Sequence, residues 1–324
     1  MVLVGIALAI LGALVFTTLQ LLDQSEEHVK KVTNTRVEAV PVNSFYPRAN
    51  ECDEQAKVDF EHNPNRTEAK YNNFSFSEEG FKQFGRSKTL TRLQLTDCDA
   101  KDKWLRHLTK LPLISLAIEG TDLTSDCLPY IAKIKTLKVV GLARDPITDK
   151  NIEELLKLPN LTALNIGETD ITARGIKEIC KNHNLVALTV MGCPTTGESL
   201  ADVGNVEALQ ILDVGQIAHV TPQQLHNLQR LKRLYKLNMR RCDLNDDCMN
   251  ELAAIPSLQE LEIDGNDFTD KGLEQLKGLK LLRILRMQNC HNITPEGVAR
   301  LQKALPGVAI ETKYASAAGV DIGD

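Results

Sequence analysis

The hydrophobic positions of this chain recur with one period. Leu90-x-x-Leu93-x-Leu95 returns as Leu113/Leu116/Ile118, Leu137/Val140/Leu142, Leu161/Leu164/Ile166 and Leu185/Leu188/Val190. It continues as Leu209/Leu212/Val214, Leu234/Leu237/Met239, Leu258/Leu261/Ile263 and Leu282/Leu285/Met287. Successive first leucines are 23, 24, 24, 24, 24, 25, 24 and 24 residues apart, and nine copies at one period identify a repeat array. In each copy the last two apolar residues alternate with their neighbours, which predicts a short strand that points them inward and exposes the residues between. Three residues past the strand stands Cys98, Thr121, Asp145, Thr169, Cys193, Ile217, Cys242, Asn266 or Cys290. Small hydrogen-bonding side chains there form a ladder that satisfies loop backbone groups stacked from unit to unit. A hydroxyl or amide then predicts the start of a helix: Thr124, Thr148, Thr172, Thr196, Thr221, Asn245, Thr269 and Thr294 are N-cap residue types. Pro222 and Pro295 follow at the first helical position, where a missing N–H costs nothing.

The ends of the array read differently. Phe76-Ser77-Glu78-Glu79-Gly80-Phe81…Phe84…Leu90 matches Phe268-Thr269-Asp270-Lys271-Gly272-Leu273…Leu276…Leu282 at an offset of 192, eight times 24. This predicts an N-terminal capping half-repeat over 66–89 that has lost its strand and kept its second half. Nine repeats fill 90–312, with Val308 and Ile310 in a terminal strand, and 313–324 is a flexible tail. Residues 23–65 mix charges with Pro41, Pro47 and Pro64 and read as a polar linker, whose portion from Cys52 onward is placed to fold over the first repeat. Residues 2–22 carry no charge and are long enough for one transmembrane helix, so 1–22 reads as an anchor or signal-anchor. The competing reading is a cleaved signal peptide, which wants a basic n-region and a small-x-small site. The expected location is a single-pass membrane protein, its side of the membrane undetermined, or an exported one if the segment is cleaved.

The repeat resembles the leucine-rich-repeat family, most closely its cysteine-containing and ribonuclease-inhibitor-like branches. It is also similar to membrane-anchored bacterial members and to the arrays of F-box/leucine-rich-repeat proteins. The resemblance implies an α/β fold: a curved leucine-rich-repeat solenoid with a parallel concave sheet and short convex helices. The 24-residue unit is shorter than is usual in those branches and predicts short helices. No F-box-like segment precedes the repeats.

Composition narrows the function. Thirty-eight Lys+Arg against 43 Asp+Glu, with 4% aromatics, argue against a nucleic-acid binder working through a broad basic surface or stacked bases. Four of the eight cysteines (Cys98, Cys193, Cys242, Cys290) occupy the ladder, where pairs lie about 10 Å apart and outside disulfide reach. Cys52 alone is placed to approach another, with Cys98 nearest. There is no C-x-x-C, H-x-x-x-H, G-x-S-x-G or phosphate loop, and Asp264-Gly265-Asn266-Asp267 lacks the full spacing of a calcium loop. Asn65-Arg66-Thr67 and Asn73-Phe74-Ser75 match the glycosylation sequon, which has meaning only in a eukaryotic secretory protein. No catalytic, metal or cofactor site is nominated, and the chain is read as a non-enzyme.

Strand alternation nominates the concave face. Arg92 and Glu119 lie at its start. A small, nearly uncharged floor without aromatics follows over repeats three to six, including Met191 and Asp213. Lys236, Asn238, Arg240, Glu260, Glu262, Asp264 and Arg286 form a charged end. These residues are the candidate protein-binding surface; the alternative is that small residues relieve crowding and opposite charges on adjacent strands pair with each other. The expected function is a membrane-anchored, non-catalytic interaction protein. The alternatives are a recognition or scaffold subunit of a larger complex, such as an F-box-type ubiquitin-ligase receptor, and a structural spacer.

Overall fold

The computed structural model describes residues 49–313. Eleven strands form one parallel sheet in sequence order. They are β1 Glu68–Asn72, β2 Arg92–Thr96, β3 Ser115–Glu119, β4 Val139–Gly141, β5 Ala163–Asn165, β6 Ala187–Thr189, β7 Ile211–Asp213, β8 Lys236–Asn238, β9 Glu260–Glu262, β10 Ile284–Arg286 and β11 Ala309–Glu311. Each strand pairs with its neighbour without slippage, so Leu93, Leu116, Val140, Leu164, Leu188, Leu212, Leu237, Leu261 and Leu285 form one continuous row. That row and the repeat's other leucines are buried in a single core that runs the length of the sheet. From β1 onward the convex segments are short, from one turn of 3-10 helix (Ser125–Cys127) to ten residues (Pro295–Ala304). Helical turns need more room per repeat than strands about 4.8 Å apart, so the stack bends with the sheet inside.

Local chemistry joins the repeats. Thr124, Thr172, Thr196, Asn245, Thr269 and Thr294 cap their helices through side-chain oxygens, and Thr221 forms a capping box with Gln224. At Thr124, Thr172, Thr269 and Thr294 an aspartate about one repeat earlier accepts from the cap's backbone N–H and its hydroxyl. Asp149 holds Thr172 at 2.9 and 2.6 Å, Asp246 holds Thr269 at 2.7 and 2.8 Å, and Asp270 holds Thr294 at 2.9 and 2.6 Å. Glycine at the third helical position makes the approach possible: a Cβ on Gly175 or Gly272 would stand 2.3 or 2.5 Å from the aspartate Oδ1.

Three expectations need correction. The first unit has not lost its strand: β1 pairs with β2 over five residues, with Ala69 and Tyr71 in the core places of the usual leucines. Aromatic packing fills the deficit, Tyr71 and Phe84 each lying 5.3 Å from Phe76 between ring centroids. The linker does not run to 65: from Ala49 it is a helix, α1 (Ala49–His62), which buries Cys52, Asp53 and Ala56 against the first repeat, as expected of the portion from Cys52 onward. Asp53 accepts from the Ser77 N–H and hydroxyl, the same clamp that joins later repeats, so α1 stands as the convex helix of an additional unit. Finally, Thr148 caps no helix. Its segment starts after Asn151, held at φ 60°, and the Thr148 hydroxyl lies 3.1 Å from that of Ser125 in the preceding repeat.

The expected membrane segment 1–22 and nearly all of the tail 313–324 lie outside the described residues. No helix among the described residues is long and apolar enough to cross a membrane.

Candidate functional site

Register places the nominated residues on three rows of the concave face. Its middle is not the exposed floor that alternation suggested: Val139, Ala163, Ala187 and Ile211 are 3–7% exposed and pack on one another as a separate apolar cluster. Ala117, Ala143, Thr189, Asp213, Asn238 and Glu262 are also buried. Bending a sheet toward this side crowds its side chains, and small residues turn the crowding into contact. Ile114 and Tyr235, each one residue before a strand, pack half-buried at the two ends of the cluster. An aromatic therefore borders the floor, against the expectation of none; its place just ahead of β8 hid it from a reading limited to the strand.

Polar groups flank this strip. Glu119 accepts from the Asn165 amide across two repeats at 3.0 Å, its carboxylate lying over Gly141. Burial pushes the Glu119 carboxyl up to about 7, against the pull of Arg144. Asp213 accepts from the Gly215 N–H at 3.0 Å and the Asn238 amide at 3.2 Å. Burial raises it to about 6, opposed by the Gly215 hydrogen bond and the charges of Arg240 and Lys236. Arg240 reaches back over Gly215 to donate to the Met191 sulfur at 2.9 Å.

The charged end is largely closed on itself. Lys236 pairs with Glu260 at 3.1 Å and Arg286 with Glu311 at 3.1 Å, both between adjacent strands, and Asp264 accepts from the Gln288 N–H at 2.6 Å. Arg92 stands apart, half-buried on β2.

The ladder residues Cys98, Thr121, Thr169, Cys193, Cys242, Asn266 and Cys290 are all buried, at 8% exposure or less. Asn266 shows what the place asks for: its oxygen accepts from the Cys242 and Leu244 N–H groups, and its amide donates to the Met239 and Ile263 carbonyls at 3.0 and 2.8 Å. All eight cysteines are buried thiols, and burial raises their pKa throughout.

One row escaped the sequence. Asn73, Asp97, Arg144, Glu168, Gln216, Arg241 and Asn289 hold positive φ at the residue after the strand and its last concave position, where other repeats use Gly120, Gly192 and Gly265. Arg144 pairs with Asp97 at 2.8 Å across Gly120. No group of three or more His, Cys, Asp or Glu that could hold a metal occurs among the described residues.

A family model and one solved structure agree with this architecture. A leucine-rich-repeat family model matches residues 157–180 and 254–277. A leucine-rich-repeat protein of Leptospira interrogans superposes with a TM-score of 0.56 at 24% identity, over 75% of this chain and 59% of that one. An internalin, InlF, of Listeria monocytogenes gives 0.44 at 16% identity, over 85% of this chain and 99% of that one. This chain thus spans less than two thirds of the Leptospira protein. No curated protein matches. The fold is a solenoid of stacked strand–turn–helix units, and its unit is the leucine-rich repeat. The chain is a leucine-rich-repeat protein.

Proposed function

We propose that this is a non-catalytic, membrane-anchored leucine-rich-repeat protein that binds another protein chain across the middle of its concave face. One observation carries the reading: Ile114 and Tyr235, half-buried at the two ends of the closed apolar strip, stand on the same face as two acceptor carboxyls, Glu119 and Asp213, whose own fold supplies them only partial charge balance. Such a surface suits a partner that offers an apolar side chain next to Lys, Arg or amide donors. The charged end, paired internally, sets register more than affinity. The anchor rests on the uncharged run of residues 2–22.

A photo-crosslinking residue in place of Tyr235, compared with one in place of exposed Lys177 on the convex helix Ala173–Ile179, tests this in cells with the full chain. A discrete protein adduct at 235 and not at 177 is expected, and Tyr235→Ala should weaken that partner about tenfold. The same adducts from both positions, or none from 235, would overturn the concave reading.

A further inference from the structure

Because the sheet is parallel throughout, every turn leading from a helix into a strand lies along one edge of the solenoid, and every turn leaving a strand lies along the other. The two edges differ in charge. The helix-to-strand turns (63–67, 86–91, 108–114, 132–138, 158–162, 180–186, 204–210, 231–235, 254–259, 279–283 and 305–308) hold twelve Lys or Arg and one acid, Glu207. The opposite turns hold ten acids and five bases. The whole chain carries −5, so the basic edge runs against the net charge.

Cations near helix C-termini are favoured by the helix dipole, but that effect asks for no more than one per short helix, and three crowd into 132–138 alone. Their surroundings differ as well. Of the twelve, only Arg66, Arg86 and Lys181 make an ion pair among the described residues. Lys135 and Lys280 instead donate to backbone carbonyls of Lys157 and Lys277, at 3.0 and 2.7 Å. A second observation lies on the same edge. Leu281, 56% exposed, stands in the turn 279–283 between Lys280 and Leu282; the other exposed large hydrophobic side chain among the described residues, Leu156, is 37% exposed and lies on the segment Ile152–Lys157 just ahead of a turn, beside Lys157, which pairs with Glu154. Leu281, set in a turn with Lys280 and Arg283, neither of which makes an ion pair among the described residues, suits a surface that is anionic outside and apolar beneath.

We infer that this edge docks the solenoid on a membrane surface rich in anionic phospholipid, the cations meeting headgroup phosphates and Leu281 entering the interface. Docking by the edge leaves the concave face open to a partner. The inference stands on the edge itself and does not require residues 2–22 to span the bilayer.

The test is flotation of the full chain with vesicles of neutral phosphatidylcholine, with and without 30% phosphatidylglycerol. The readout is the increment in binding that the anionic lipid adds. The triple variant Lys135→Glu, Lys232→Glu, Lys280→Glu should lower that increment about a hundredfold, since each cation at an anionic surface contributes on the order of fivefold. Leu281→Ala should lower it several-fold. Lys101→Glu, Lys150→Glu, Arg241→Glu makes the same net change on the opposite edge and should leave it within about twofold; circular dichroism and melting check that both triple variants fold. Equal losses in the two triple variants, no increment with anionic lipid, or binding to polyglutamate or polyuridylate but not to anionic vesicles would overturn the inference. Loss of binding to the neutral vesicles alone would count against the membrane anchor and leave the edge intact.

Discussion

Two rungs of the inner ladder occupy the same place five repeats apart and are finished differently. Asn266 satisfies four backbone groups, two N–H and two C=O. Asp145 accepts from the Thr121 N–H and hydroxyl at 2.5 and 2.9 Å, as Asn266 does from Cys242, but its second oxygen is buried without a hydrogen-bond partner. In the register of Asn266, that oxygen faces the places of the Ile118 and Leu142 carbonyls, where only a donor fits. Burial accordingly pushes the Asp145 carboxyl up to about 8, against the Thr121 hydrogen bonds. The neighbouring concave carboxyl, Glu119, is raised for the same reason, whereas the β8–β11 end is tied by Lys236–Glu260 and Arg286–Glu311. At Asn266 the rung is satisfied on both sides; around β3 and β4 stand two acids, Asp145 and Glu119, that burial raises.

The comparison can be broken most forcefully by making the good rung like the poor one. Asn266→Asp removes two donors and sets a carboxylate against two carbonyls, and should cost about 3–5 kcal/mol at pH 8 in thermal or urea unfolding. The reverse change, Asp145→Asn, supplies the donor without the proton uptake that the raised carboxyl requires, and should stabilise by about 2–3 kcal/mol at neutral pH.

A smaller effect is expected where the two stretches are alike. The aspartate–threonine clamps at Asp149 and Asp246 have the same geometry, so Gly175→Ala and Gly272→Ala should each cost about 1–3 kcal/mol by overpacking. Gly278→Ala, with nothing within 4 Å of the added carbon, should be neutral in the same melting assay. Least of all, Lys236→Met should change stability by under about 1 kcal/mol, the pair with Glu260 being partly solvated.

Much of this was legible in the chain. The row from Leu93 to Leu285, the threonine caps and the ladder follow from a period and from hydrogen-bonding capacity, which are local properties. The first unit was hidden because Ala69 and Tyr71 break the leucine pattern, although Asp53, 24 residues before Ser77, carried the same clamp spacing as Asp270 and Thr294. The closed floor at Val139 to Ile211 was not legible, since it depends on how far the sheet bends. Nor was the row of left-handed residues, where Arg144 and Glu168 stand in a place that Gly120 and Gly192 fill more cheaply. The basic edge lay in plain view as turn composition, but it becomes an edge only once all strands are known to run parallel.

The most direct measurement is the thermal stability of the wild type and of Asp145→Asn between pH 5 and pH 8. An unfolded aspartate titrates near 3.9, and the folded one near 8. The raised carboxyl therefore costs the wild type nothing below about pH 4, and a growing amount as pH rises toward 8, by up to about 1.4 kcal/mol per pH unit. Glu119 and Asp213 add slopes of the same sign at lower pH in both proteins. The expected result is that Asp145→Asn is the more stable and that its advantage widens steadily with pH. Parallel curves, or a variant less stable than the wild type at pH 8, would contradict an unfinished rung at Asp145.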